Sequence, residues 1–275
     1  MSARGYAVLE RELAAVERRE AALERRCAGR SPGWKTALER RVPPKAADGL
    51  KAAFSKAFAL LFEGGAAWVE RGCRPEELAA LYSVRDAAVE RQAGRAELRR
   101  LCGGARRANA LNTALTALEG LVLGALGIGL PDILLFLGML LRGIYATAMN
   151  YGFDCSSRGE RFIILKLMQA SLSSGDERRR LGAEIDALML NVREPDAAEF
   201  GAQLESTASA FALDMLAVKF VQGMPLIGVI GGAANPLYYR RMTSFAELKY
   251  KKRYLLGKME KRPGGAGAAR GRIRR

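Results

Sequence analysis

GLVLGALGIGLPDILLFLGMLL, residues 120–141, is the stretch on which the fold turns. Between Glu119 and Arg142 it runs for 22 residues with a single charge, Asp132, and a proline at 131. At ~1.5 Å per residue a continuous helix of this length would measure ~33 Å, enough to cross a bilayer. A central aspartate costs ~3 kcal/mol on insertion scales. Pro131 and the glycines at 120, 124, 127 and 129 weaken a continuous helix as well. The passage therefore reads as two apolar helices meeting at Gly129-Leu130-Pro131, a hairpin that returns both ends to one side instead of spanning. Its second arm is expected to continue through Arg142 to about Asn150 and to close at Tyr151-Gly152-Phe153-Asp154.

Helical periodicity extends in both directions. Residues 7–28 place Leu9, Leu13, Val16, Leu23 and Cys27 in one stripe among alternating Glu and Arg, with Glu20 interrupting it. Ser31-Pro32-Gly33 breaks the chain, residues 34–41 make a short helix, and Val42-Pro43-Pro44 turns into a helix over 46–70. Phe54, Phe58, Leu61 and Phe62 form the buried face of that helix. Arg74-Pro75-Glu76-Glu77 opens a further helix to about 100, with proline in the first turn and acids at the positive end, and Cys102-Gly103-Gly104 stops it. Downstream, helices are expected over 160–173, 177–192, 200–222 and 238–261, and a second passage without charge covers 220–239. The fold class is all-α: a compact multi-helix domain with two Gly- and Pro-broken apolar helical hairpins at its centre. It divides into an N-terminal charged amphipathic helix (1–30), the helical domain (31–262) and a disordered basic tail (263–275).

Composition agrees and removes whole classes of chemistry. With 275 residues, 49% hydrophobic and 27% charged, the chain can bury a large core, and aromatics at 7% favour helices over a sandwich. Histidine is absent, which excludes triads, His-ligated metals and imidazole bases. Cys27, Cys73, Cys102 and Cys155 form no CxxC pair, so they read as buried thiols, and neither metal nor cofactor is expected. The first twenty residues lack an apolar signal region, which points to a cytoplasmic chain. Glycine-rich nucleotide loops and GxSxG are missing. Ser206, Ser209 and Lys219 share one helix, but the last two lie ten positions apart, poor geometry for a Ser-Lys nucleophile. No catalytic residue is assigned.

The net charge of +15 is concentrated at one end: residues 249–275 hold eleven basic residues and one acid, Glu260, leaving +5 for the rest. Lys249, Lys251, Lys252, Arg253, Lys258, Lys261 and Arg262 form a basic helix interleaved with Tyr250, Tyr254 and Leu255. It reads as a face for an anionic membrane surface, a solvated face being the plainer alternative and nucleic acid the weaker partner. Inside the apolar passages, Asp132, Arg142, Asp214, Lys219, Gln222 and Asn235 form a candidate buried polar cluster, with Asp132 and Lys219 as the first pair. That cluster is either a structural ion pair between hairpins or a polar site in an apolar cavity. Gly120 with Gly124, and Gly228 with Gly232, allow close helix approach in a tight core or in lipid.

The PDI passage, LRGIYATAMNYGFD (141–154), the upstream RRVPPKAADGLKAAFSKAF (40–58) and the block KFVQGMPLIGVIGGAANPLYYRRMTSFAELKYKKRYL (219–255) together resemble the EcsC family over residues 34–256. In the last block Lys219, Gln222, Pro225, Gly228, Gly231, Asn235, Ala246, Tyr250 and Arg253 occur in the family's order. The helix of residues 1–28 and the Arg-rich tail look like additions. The family is named for a gene beside those of an ABC-transporter ATPase and its membrane subunit. The resemblance thus implies a bacterial helical protein near the membrane and supplies no catalytic residues. The expected function is a non-catalytic accessory protein, peripherally bound at the cytoplasmic face and serving a transporter or other membrane complex. A lipid- or acyl-acting enzyme, or a module that shields a lipid tail, is the alternative, and the small-molecule ligand is unknown.

Overall fold

The computed structural model describes residues 2–28, 44–63, 73–104, 130–221 and 234–260. Among them the chain forms nine helices and no strand: α1 (Ala3–Ala28), α2 (Pro44–Glu63), α3 (Pro75–Arg91), α4 (95–104), α5 (Leu130–Asn150), α6 (Arg158–Leu172), α7 (Gly175–Leu190), α8 (Ala197–Val221) and α9 (Ala234–Glu260). The short helix expected over 34–41 and the arms of both hairpins over 105–129 and 222–233 lie outside the described residues, as does the tail from 261.

Local chemistry sets most boundaries. Pro75 sits in the first turn of α3 behind Arg74, which takes a left-handed backbone at φ 50°, and Glu76 and Glu77 face the positive end. Ser157 caps α6 by accepting the Glu160 N–H at 3.1 Å. One boundary differs from the sequence reading: the helix expected to run to residue 100 breaks at 92–94, where Gln92 turns extended and the Gly94 N–H bonds the Gln92 carbonyl at 2.7 Å. Glycine has no side chain to favour continuing the helix there. At the other end, α9 starts ahead of expectation because Pro236 lies in its first turn, where a missing N–H costs nothing.

Packing follows the apolar stripes. Phe54 and Phe58 of α2 meet Phe211 of α8 at ring separations of 5.3 and 5.6 Å, and Phe62 meets Phe200 at 5.9 Å, so the two helices run antiparallel. Phe136 of α5 lies 5.7 Å from Tyr238 of α9, and Tyr151 just beyond α5 lies 6.1 Å from Tyr254, so these two run parallel. Gly143 admits this approach, since a Cβ there would sit 2.7 Å from ring carbons of Tyr239. Over Ile133–Asn150, α5 is long and apolar enough to cross a membrane, yet 72% of that window is buried inside the bundle, which fits a core helix. Leu9, Leu13 and Val16 pack α1 into the same core, along α9 and α7. At ~25 cal/mol per Å² of apolar surface, side chains the size of Phe54, Phe136 and Phe211 each contribute ~2 kcal/mol or more.

Candidate functional site

The helix that the sequence presents as a basic surface is instead the charged spine of the molecule. Each described cation from Lys249 to Lys258 meets acids from other helices. Lys249, 4% exposed, donates to the Gly182 carbonyl at 3.1 Å and pairs with Asp186 at 2.7 Å and Glu20 at 3.0 Å. Lys252 bridges the same two carboxylates at 2.6 and 2.8 Å, and Lys251 reaches Glu12 at 2.7 Å. Arg253 places Nη1 on both oxygens of Glu160, at 3.0 and 2.9 Å, while its guanidinium lies 4.0 Å over the Phe153 ring. Lys258, 7% exposed, is held by Asp86 and Glu90 at 2.7 and 2.6 Å. Lys249, Lys251, Lys252, Arg253 and Lys258, expected from the sequence to face an anionic membrane surface, thus meet acids of their own chain. A bundle that buries α9 must neutralise its cations, and it does so with α1, α3, α6 and α7. Lys261 and Arg262 lie outside the described residues.

Tyrosine hydroxyls complete the network. Tyr250 donates to Glu160, and Tyr254 donates to Asp86, each at 2.7 Å. Burial, followed by the adjacent carboxylates, pushes the pKa of both phenols well above the ordinary value. Burial alone would lower Lys252 and Lys258, but the paired carboxylates outweigh it and raise both. Glu160 is 3% exposed, and its backbone N–H is the one capped by Ser157. The helix start of α6 thus fixes the acid on which Arg253 and Tyr250 converge.

The predicted polar cluster is only partly assembled among the described residues. Asp214 is buried, accepting from Tyr238 at 2.7 Å and pairing with Arg241 at 3.5 Å, two residues the sequence reading left out. Burial, followed by Asp214, raises Tyr238. Arg142 points outward on α5 and joins none of this, its carbonyl accepting from Cys73 Sγ at 3.4 Å. The side chains of Asp132, Lys219 and Asn235, and Gln222 altogether, lie outside the description, so the proposed Asp132–Lys219 pair does too. Ser206 spends its hydroxyl on the Ala202 carbonyl one turn back. Cys73, Cys102 and Cys155 are buried thiols. Among the described residues no three Cys, Asp or Glu side chains are grouped to hold a metal.

An all-α bundle with an ion-paired central helix and no assembled catalytic constellation among the described residues defines a class, not an activity. The chain belongs to the EcsC protein family, whose model matches residues 9–255. The match takes in most of α1, which therefore belongs to the family and is not an addition. No curated protein matches the chain, and no solved structure does.

Proposed function

We propose that this protein is a non-catalytic accessory protein that associates peripherally with the cytoplasmic face of a membrane and serves a membrane complex such as an ABC transporter. One observation supports the reading above others: the helix segments that adjoin the two uncharged passages, 120–131 and 220–239, pack against one another at one pole. The contacts of Phe136, Phe211 and Tyr238 set the first two turns of α5 and α9 against the second half of α8. On the same helix segments Leu135, Leu213 and Leu237 are 39%, 37% and 63% exposed. With Lys249, Lys251, Lys252, Arg253 and Lys258 paired to acids of the chain, the electrostatic share falls mainly to the tail. Residues 261–275 carry Lys261, Arg262, Arg270, Arg272, Arg274 and Arg275 and no acid. Near an anionic leaflet each contributes ~1 kcal/mol.

Flotation with vesicles of phosphatidylcholine alone and with added phosphatidylglycerol tests this. The intact chain floats with both, more with the anionic mixture; ending the chain at Glu260 removes only the anionic increment. Combined Leu135→Asp, Leu213→Asp and Leu237→Asp removes most binding to either. Absence of flotation, or unchanged flotation of the triple variant, overturns the proposal.

A further inference from the structure

At the end of the bundle away from that pole, the last turns of α9 face the turn after α5, the end of α7 and the middle of α3 across a cleft of about 240 Å³. Tyr82, Tyr151, Phe153, Met189 and Leu190 supply its apolar walls, and Arg253 and Lys258 its cations. The floor is open at Gly257: a Cβ built there meets no atom within 4 Å, although glycine inside a helix costs about 1 kcal/mol relative to alanine. The far wall is built by the Tyr151-Gly152-Phe153 turn. Gly152 takes φ +83°, and any Cβ there would run into the Tyr82 ring.

The polar groups differ in what they have left to offer. Lys258 and Tyr254 spend their donors on Asp86 and Glu90. Arg253 gives only Nη1, to Glu160, and is held flat on Phe153. Its Nε and Nη2 find no acceptor among the described residues, and the side chain is 14% exposed. A guanidinium fixed on one edge and open on the other is a preorganised fork for an oxyanion. Charge alone does not select the ligand. Arg253 and Lys258 stand against Asp86, Glu90, Glu160 and Glu260, and Lys261 and Arg262 follow directly in the chain. Selection therefore falls to hydrogen-bond geometry and to the apolar wall.

We propose that this cleft binds a small amphiphilic anion, its carboxylate or phosphate head on the open edge of Arg253 and its acyl or aryl body against Tyr82, Tyr151, Phe153 and Met189. A concave site with apolar walls and a few charged groups at its rim, here Arg253, Lys258 and Glu260, is a form that small-molecule sites take. The site is independent of membrane binding at the opposite pole.

Calorimetric titration of the full chain tests it with decanoate and decyl phosphate, which carry the two candidate heads, and with decanol, decyltrimethylammonium and inorganic phosphate as controls. One of the two anionic amphiphiles binds with Kd on the order of 0.1 mM, and the tighter of them identifies the head. Decanol and inorganic phosphate bind at least tenfold more weakly. Gly257→Leu fills the cleft and weakens binding at least tenfold, while its unliganded melting temperature stays at or above that of the parent. Arg253→Lys keeps the charge on Glu160 but loses the fork, and it weakens the anions about tenfold, the size of one charge-assisted hydrogen-bond pair, without affecting decanol. Equal binding of decanol and decanoate, tighter binding of decyltrimethylammonium, unaltered affinity in Gly257→Leu, or no heat from either anion at about 2 mM overturns the proposal.

Discussion

Glu160 shows how a single residue organises the chemistry of this fold. Its backbone N–H is capped by Ser157, and its carboxylate takes Arg253 and Tyr250 from a helix 90 positions away. The S-x-x-E spacing of Ser157 and Glu160 is legible as a helix start. That the acid turns inward instead of back to the cap is a tertiary fact with no local signature. The same holds for the phenols on α9, which the sequence reading interleaved with lysines as surface groups. Their inward placement has a consequence at high pH. Tyr238, Tyr250 and Tyr254 stay protonated in the folded chain above the value of about 10 at which they ionise when unfolded. Lys252 and Lys258 are likewise raised when folded. For a raised pKa the folded state holds the proton longer, so the stabilisation is complete below the unfolded value and is lost as pH climbs towards the folded one. Both sets act in the same direction, each group by up to about 1.4 kcal/mol per pH unit. Urea midpoints measured from pH 8 to 11.5 are expected to fall from about pH 10 upward, with a shallower fall in Tyr250→Phe. A level or rising midpoint over that range would refute the assignment.

At the scale of elements, the positions and kinds of the long helices were readable because their apolar stripes recur at helical spacing: Phe54, Phe58 and Phe62 on α2, and the apolar run of α5 ending at Asn150. Partner choice was not readable. Glu20 looked like a flaw in the stripe of α1, yet it is the acid that meets Lys249 and Lys252. Asp86 and Glu90, one turn apart on α3, meet a lysine 168 or more positions downstream. Such pairs leave no mark on either helix alone. α3 depends on them most, because among its residues Val89 is the one fully buried. Asp86→Asn should therefore loosen α3 selectively: amide exchange over residues 75–91 is expected to rise about tenfold or more, while α2 and α8 keep their protection. Uniform acceleration throughout the bundle, or none in α3, would count against the pairing as its anchor.

Taken as a whole, the molecule separates two regions that the sequence reading ran together. The all-α class, the core role of α5 and the burial of Cys73, Cys102 and Cys155 followed from composition and period, while the side chain of Cys27 lies outside the described residues. The basic C-terminal end did not divide on inspection, because a helix with Lys249, Lys251, Lys252, Arg253 and Lys258 reads the same whether its partners are lipid headgroups or the acids of its own chain. Long-range packing decides, and here it sets the acids of α1, α3, α6 and α7 around α9. The cleft at the far end was invisible for a related reason. Its walls come from four separated segments and its floor from a helical glycine. The central claim is that the cations of α9 hold the fold together. Equilibrium urea unfolding of Lys249→Met tests it most directly. Removing this ammonium leaves Glu20 and Asp186 buried with only Lys252 to share, and the predicted loss is about 3 kcal/mol. A loss below about 0.5 kcal/mol, as for a solvated surface lysine, would contradict the account.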